Sequence, residues 1–256
     1  MSNIGKAFEN GTAFIAFLTG GDPSLDKSYE YIMEMVRAGA DLIEIGIPFS
    51  DPIAEGPVIQ EANLRALKGG ATTDGMFRLA RRVRQDTQTP LVFLTYLNPV
   101  FHYGYGRFFA QCEESGVDGV IVPDLPYEEQ PELLDIATRH GVDIISLVAP
   151  TSRQRIQKIA KDAAGFVYVV SSMGVTGMRA SIQTDLAGMV KMIRAATDIP
   201  CAVGFGVNTP EQAKEIAGIA DGVIVGSAIV ERIAQHGGNA HKAVFDYVKQ
   251  MKDAIR

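Results

Sequence analysis

The stretch AGADLIEIG, residues 38–46, joins the end of a predicted helix to a short apolar strand. Three other stretches follow the same pattern of helix end, short turn and apolar run: SGVDGVIVP (115–123), HGVDIISLV (140–148) and IADGVIVGS (219–227). Glycine near a helix end, followed by an apolar run without polar alternation, is typical of a helix that stops before a buried strand. The pattern therefore predicts a repeated helix–strand unit.

Four further apolar runs lie between these stretches: AFIAFL (13–18), LVFLTY (91–96), FVYVV (166–170) and CAVGFG (201–206). The segments between the runs have helical periodicity, and several open on Ser, Thr or Pro as helices do. Continuously apolar strands, each followed by a helix, indicate a parallel sheet covered by helices. Eight such units in 256 residues predict an α/β fold with one (β/α)8 TIM barrel over residues 1–256 and extra short helices, rather than an open doubly wound sheet.

Charge, apolar runs and cysteine spacing indicate which binding partners and metal sites are not expected. The chain has 24 Lys and Arg against 30 Asp and Glu, and its basic residues are scattered, so nucleic acid is not an expected partner. No apolar run approaches the length of a membrane span and no signal peptide is evident, so we expect a cytoplasmic protein that does not contact membranes. Cys112 and Cys201 lack ligand spacing, and no metal site is expected.

The ends of the predicted strands are the places to look for a site, because active sites in this fold collect at the carboxyl ends of the strands. In the strand LIEIG (42–46), alternation puts Leu42, Glu44 and Gly46 on one face, and Ile43 and Ile45 suit contacts with helices. Glu44 is therefore predicted to face the barrel lumen. Desolvation there would raise its pKa, as a general acid or base requires at neutral pH. The alternative is a buried glutamate satisfied by backbone or hydroxyl donors.

The loop IPFSDPIAEGP (47–57) adds two more carboxylates directly after this strand. On composition alone, Glu55 would be a solvated surface acid and Asp51, which precedes a proline, a turn residue.

Glycine-rich turns follow three consecutive predicted strands. GVTG (174–177), GFGV (204–207) and GSAIVERI (226–233) offer backbone N–H groups, and the last of them opens a short helix whose N-terminus attracts anions. Loops at these strand ends form a recurrent phosphate site in barrels of this kind. A phosphate or phosphorylated ligand is therefore predicted.

Several kinds of catalysis are disfavoured by missing motifs. No lysine lies in any of the eight predicted strands, which disfavours a Schiff-base mechanism. A nucleophile elbow and a P-loop are also missing. The remaining prediction is cofactor-free acid–base chemistry on a phosphorylated substrate, in a pocket that Phe17, Tyr96, Tyr168 and Phe205 line with aromatic surface.

The motifs occur together in an order that resembles a known family. IEIGIPFSDPIAEGPVIQEAN (43–63), LTYLNPVF (94–101), VPDLPYEE (122–129), VYVVSSMGVTG (167–177), GFGV and GSAIV look like the tryptophan synthase alpha subunit. The resemblance covers the chain from about Phe14 to the C-terminal helix. It implies a lyase that splits indole-3-glycerol phosphate into indole and glyceraldehyde 3-phosphate by a retro-aldol step. The partner it implies is a beta subunit that carries PLP, in an α2β2 complex, with no cofactor in this chain.

The resemblance also implies roles for individual residues. Glu44 would be the acid–base group for indole C3 and the glycerol hydroxyl, and Glu55 the carboxylate that interacts with the indole N–H. Tyr168 and Phe205 match pocket residues, and Thr176 matches a threonine that helps to close the site. The remaining matches are the phosphate-binding Gly177, Gly206, Gly226 and Ser227, and the beta-subunit contacts Asp51, Pro52 and the segment Asn98–Tyr105.

One residue departs from the family pattern. The family has Asp where this chain has Glu55, and the extra methylene moves the carboxylate by about 1 Å or more, a misplacement that can cost on the order of 100-fold in rate. Either the loop backbone compensates, or the enzyme depends on its partner to set the loop. Two alternatives to the alpha-subunit role are a stand-alone indole-3-glycerol phosphate lyase and a non-catalytic barrel that binds a phosphorylated ligand and regulates a partner.

Overall fold

A computed structural model describes residues 2–170, 185–204 and 206–256. Within these ranges the strands are β1 (Ala13–Thr19), β2 (Leu42–Gly46), β3 (Leu91–Leu94), β4 (Gly119–Ile121), β5 (Asp143–Ile144), β6 (Ser146–Val148), β7 (Val167–Val170), β8 (Cys201–Gly204) and β9 (Gly222–Val225). They form one parallel sheet in the order β5-β4-β3-β2-β1-β9-β8-β7-β6. Because β5 and β6 stand at the two ends of this order and only Ile145 separates them, the chain itself joins the two edges into a nearly closed barrel.

The predicted barrel is confirmed, with one difference in the strand predicted within residues 140–148. The structure divides it at Ile145, where hydrogen-bonded pairing changes from β4 to β7. The Ile145 N–H donates to Val120 O at 2.9 Å, and its side chain lies in the lumen. The eight predicted strands are thus observed as nine, because the strand predicted within residues 140–148 pairs first with β4 and then with β7.

The helices cover the outside of the barrel. In the described ranges they are α1 (Leu25–Ala38), α2 (Pro57–Lys68), α3 (Thr73–Asp86), α4 (Leu97–Tyr103), α5 (Tyr105–Ser115), α6 (Pro131–Arg139), α7 (Arg153–Lys161), α8 (Leu186–Arg194), α9 (Pro210–Ala217), α10 (Ser227–His236) and α11 (His241–Ala254). Short 3-10 helices span Ile4–Phe8, Tyr127–Glu129 and Gly237–Asn239. Paired helices follow β2, β3 and β9, which accounts for the predicted extra helices.

Helix starts follow the local sequence. The side chains of Ser24, Thr72, Ser152 and Thr209 accept hydrogen bonds from the first turns of α1, α3, α7 and α9, as N-cap residues do. Thr209 and Gln212 complete a capping box. These caps fix where each helix begins relative to the preceding strand end.

Side-chain alternation separates two apolar clusters. Leu42 packs with lumen residues such as Ile15, Val92 and Ile224, whereas Ile43 and Ile45 pack against the helices. Glu44 therefore occupies the lumen side of β2 above Leu42, as alternation predicts. Among the described residues, no helix is long and apolar enough to cross a membrane.

Candidate functional site

A cleft of about 640 Å3, counting the space at its open mouth, lies at the carboxyl ends of the strands. It brings together both predicted acids, two predicted aromatic residues and three predicted phosphate-binding residues. Its lining consists of Phe17, Glu44, Ala54, Glu55, Ile59, Leu94, Pro123, Leu147, Tyr168, Gly206, Val207, Ile224, Gly226 and Ser227. The cleft thus places an acidic pair beside a glycine-rich rim and an apolar wall.

Glu44 is held on β2 directly opposite Phe17 of β1 and is only 1% exposed. Its Oε2 atom has no hydrogen-bond partner among the described residues, so the alternative of a fully satisfied buried glutamate does not describe this atom. Burial, and secondly the charge of Glu55, raises the pKa of Glu44 to about 8. At neutral pH this carboxyl group therefore holds a proton.

Glu55 lies in the short loop before α2 and is 4% exposed, so it is not the surface acid that the composition of the loop would predict. The Tyr96 hydroxyl donates a hydrogen bond to its Oε2 atom, and the side-chain amide of Gln60 donates to its carbonyl at 2.8 Å. Burial raises the pKa of Glu55, and the hydrogen bond from Tyr96 acts in the opposite direction. The two acids therefore differ in environment: one has a free oxygen and the other is hydrogen-bonded.

Tyr96 lies beside the cleft and not in its lining. It follows β3 at the N-cap position of α4, and its ring packs against Phe49 with 5.4 Å between ring centroids. Its hydroxyl oxygen accepts hydrogen bonds from the backbone N–H groups of Ala54 at 2.8 Å and Ile53 at 3.1 Å. Tyr96 thus ties the loop that carries Glu55 to the end of β3.

Two predicted aromatic residues line the cleft, and glycines make room for them. A Cβ atom at Gly46 would lie 2.8 Å from the Phe17 ring, and one at Gly204 would lie 2.6 Å from the Tyr168 hydroxyl. Burial and the charge of Glu44 raise the pKa of Tyr168 well above its usual value. Tyr168 therefore stays a neutral phenol in the wall of the cleft.

The glycine-rich rim is formed by the ends of β8 and β9. Gly206 has a φ of +92°, a backbone conformation that favours glycine, and Gly226 caps the N-terminus of α10. Ser227 is the first residue of this ten-residue helix, whose first turn contains no acidic residue. N–H groups at a helix start have no partner inside the helix, so this rim suits an anion.

Some predicted site residues lie outside the described ranges: Thr176, Gly177 and Phe205. Other residues of the cleft were not singled out from the sequence, namely the apolar Ala54, Ile59, Leu94, Pro123, Leu147, Val207 and Ile224. Strand alternation could have found some of them, because Leu94 follows the lumen residue Val92 by two positions. Their apolar surface suits a flat hydrophobic ring.

The predicted partner-facing residues lie on the surface. Asp51 and Asn98 are exposed and Pro52 is half-buried. The same two segments carry large exposed apolar side chains, Ile53 at 71% exposure and Phe101 at 63%. Exposed apolar residues on neighbouring surface segments, here a loop and helix α4, are a feature of protein–protein contact surfaces.

No group of three or more His, Cys, Asp or Glu side chains in the described ranges is arranged to hold a metal ion. The two cysteines are buried, and burial raises the pKa of Cys201 to about 12.

Comparison with known proteins gives one consistent result. The family model described as "Tryptophan synthase alpha chain" matches residues 5–256. The tryptophan synthase alpha chain of Lacticaseibacillus casei is 47% identical over 255 residues, covering 100% of this chain and 96% of that protein. The tryptophan synthase subunit alpha of Legionella pneumophila str. Paris is 37% identical, with a TM-score of 0.91 over 100% of this chain and 98% of that one. A chain from the Pyrococcus furiosus tryptophan synthase a2b2 complex is 34% identical, with a TM-score of 0.88 over 94% of this chain and 98% of that one.

Proposed function

The chain belongs to the tryptophan synthase alpha chain family, and on that premise we propose that its cleft splits indole-3-glycerol phosphate into indole and glyceraldehyde 3-phosphate. It is a lyase of tryptophan biosynthesis, and it works as the alpha subunit beside a beta subunit. The observation that carries the proposed chemistry is the buried pair Glu44 and Glu55 in one cleft, one of them protonated at neutral pH. Two carboxyl groups whose environments differ are typical of an active site in which one group acts as an acid and the other is a carboxylate.

The first step uses the proton on Glu44. Glu44 donates its proton to indole C3, and the ring becomes an indolenine that carries positive charge at N1. Glu55, as a carboxylate, accepts a hydrogen bond from the N1–H and stabilises this charge. In a cleft with little water such an interaction is stronger than in solution.

The second step uses the base that the first step creates. Glu44, now a carboxylate, takes the proton of the hydroxyl group on the glycerol carbon bonded to C3. The C–O bond becomes a carbonyl, the carbon–carbon bond breaks, and its electron pair returns to the ring and neutralises N1. Indole and glyceraldehyde 3-phosphate result, and Glu44 is protonated again for the next turnover.

Binding is divided between the rim and the wall of the cleft. We assign the phosphate to Gly206, Gly226 and Ser227, where backbone N–H groups and the start of α10 favour an anion. The indole ring lies against the apolar wall that includes Phe17, Leu94 and Tyr168. Thr176, Gly177 and Phe205 belong to the same proposal through the family pattern alone.

The partner is a beta subunit, as in the Pyrococcus furiosus a2b2 complex. In this family PLP is carried by the beta subunit, and we propose that this chain works without a cofactor of its own, as one cytoplasmic domain. The exposed Ile53 and Phe101 support a contact surface that includes Asp51, Pro52 and Asn98. The stand-alone lyase and the non-catalytic regulatory barrel are not favoured, since the relatives are named alpha chains of tryptophan synthase.

The test is product formation from indole-3-glycerol phosphate, measured with the purified chain and with its complex with a beta subunit. We expect equal amounts of indole and glyceraldehyde 3-phosphate, formed faster in the complex. Glu44→Gln should abolish both products, whereas Glu61→Gln, on the exposed face of α2, should leave them unchanged. Substrate binding without product, alone and in the complex, would contradict the proposal.

A further inference from the structure

The hydrogen bonds of the Tyr96 hydroxyl fix the direction in which it donates. A phenol has one proton to donate and two lone pairs that accept. The lone pairs receive the backbone N–H groups of Ile53 at 3.1 Å and Ala54 at 2.8 Å. The proton is therefore left for the Glu55 carboxyl group, the third partner of the same oxygen.

This arrangement acts on Glu55 in two ways. A donated hydrogen bond favours the charged form of a carboxyl group, so Tyr96 opposes the effect of burial on Glu55. The bond also restricts the rotamers of a side chain with three rotatable bonds, which a glutamate at this position would otherwise explore.

The backbone N–H groups of Glu55 and Ala54 also favour the charged form of Glu55, but the other side chains that face it do not. Within the described ranges they are Glu44 on β2 and Asp124 after β4, and the charge of Asp124 raises the pKa of Glu55. Asp124 itself accepts a hydrogen bond from the Leu97 N–H at 2.9 Å. None of the described residues that line the cleft is Lys, Arg or His. Tyr96 is thus the side chain there that favours a charged Glu55.

We propose that Tyr96 is a positioning residue: through its hydroxyl, anchored by two backbone N–H groups, it aims the longer carboxylate of Glu55 into the cleft and keeps it a proton acceptor. Tyr96 does this from beside the cleft lining, through the carboxyl group of Glu55. The anchoring explains how a glutamate can serve where the family pattern has an aspartate. The proposal rests on the function proposed above for Glu55.

The first test is the Tyr96→Phe variant, which keeps the ring and removes the hydroxyl. We expect kcat to fall about 10- to 100-fold with little change in KM, because the phosphate-binding rim is intact. We also expect the acid limb of the pH profile to move up by about one pH unit, because Glu55 loses a donor and its pKa rises.

The chain supplies a matched control in Tyr31→Phe. The Tyr31 hydroxyl is also buried, donates to the Gly237 carbonyl and accepts from the Ala240 N–H, but it lies away from the cleft. This control should change neither kcat nor the pH profile. A Tyr96→Phe variant that behaves like Tyr31→Phe would overturn the proposal.

A second test separates positioning from general damage to the loop. In a Glu55→Asp background the shorter carboxylate no longer reaches the Tyr96 hydroxyl, so adding Tyr96→Phe should cost less than about threefold. Equal costs of Tyr96→Phe in the two backgrounds would show that Tyr96 does not act through Glu55, and would overturn the proposal.

A third test needs no turnover, so it can fail independently of the proposed function. The carboxyl 13C signal of Glu55, assigned by its loss in Glu55→Gln, is titrated in the substrate-free protein. Tyr96→Phe should raise the pKa of Glu55 by about one unit, and Tyr31→Phe should leave it in place. An unchanged titration in Tyr96→Phe would contradict the positioning role even if wild-type activity is confirmed.

Discussion

Glu44 and Glu55 face the same cleft, and the charge of Glu55 adds to burial in raising the pKa of Glu44 to about 8. The two acids are 11 positions apart along the chain, one in a strand and one in the loop that follows it. Among the described residues, Glu55 receives a hydrogen bond from Tyr96 and Glu44 Oε2 has no partner, so the two carboxyl groups lie in different environments. This difference is the basis of the proposed division between an acid–base group and a charge-stabilising carboxylate.

The buried Glu44 should make stability depend on pH. Its pKa is about 8 in the folded protein against 4.5 as the ordinary value, so the folded state holds an extra proton between these limits. The Glu44 contribution to the free energy of unfolding is therefore fully present below pH 4.5 and is lost as the pH rises through about 8. Glutamine does not titrate. From pH 5 to pH 9, wild type should lose on the order of 2 to 4 kcal/mol relative to Glu44→Gln in urea unfolding.

The control for this stability experiment is Glu61→Gln on the exposed face of α2. Its free energy of unfolding should follow wild type across the same pH range. Parallel curves for wild type and Glu44→Gln would show that Glu44 ionises at its ordinary pKa.

Glu55→Asp, which shortens the side chain by one methylene, should lower activity in this chain. The shorter side chain loses the hydrogen bond from Tyr96, whose position is set by Ile53 and Ala54. We expect kcat to fall about 10- to 100-fold, and Glu55→Ala to be at least as damaging. Indole release under substrate saturation is the measurement, and a Glu55→Asp or Glu55→Ala variant as active as wild type would remove the proposed role of Glu55.

The glycine rim should respond to an added methyl group. A Cβ atom at Gly226 would lie 3.2 Å from the Phe17 ring, so either Phe17 or the start of α10 must move. We expect Gly226→Ala to raise KM about tenfold with a smaller change in kcat. Gly5→Ala is the control because its Cβ atom meets nothing within 4 Å. If Gly226→Ala leaves KM unaltered, the phosphate does not bind at this rim.

The exposed apolar residues should contribute to binding of the beta subunit and not to folding. Ile53→Asp and Phe101→Asp place charges on the proposed contact surface, and each should weaken binding to the beta subunit at least tenfold. Leu64→Asp changes another exposed apolar residue, on α2 and outside the two segments. It should leave binding to the beta subunit unchanged. Sedimentation of the mixed subunits measures this. Equal loss of binding in all three variants, or in none, would place the contact surface elsewhere.

Strand and helix patterns in the sequence were sufficient for the barrel, because each buried strand is continuously apolar and several helices have a clear cap. Alternation along LIEIG also predicted that Glu44 faces the lumen, since its neighbours Ile43 and Ile45 need the helix side. The division of one strand at Ile145 could not be predicted in this way. It arises from pairing with two different strands, which is a property of the closed barrel.

The place of Tyr96 is the clearest limit of sequence-based prediction. An aromatic residue at a strand end favours the interpretation of a substrate-binding wall, and the structure turns its hydroxyl toward a loop more than 40 positions away along the chain. That contact depends on how the backbone of Ile53 and Ala54 curves after β2. Backbone geometry of this kind cannot be predicted from residue types or their spacing.

The pH dependence of kcat/KM for indole-3-glycerol phosphate in wild type and Glu44→Gln is the most direct test of Glu44 as the acid–base group. Because Glu44 must start protonated, wild-type kcat/KM should decline on the alkaline side with an apparent pKa of about 8. Glu44→Gln should be at least about 1000-fold slower and should lack that decline. A Glu44→Gln variant that keeps a rate within tenfold of wild type would contradict this role of Glu44.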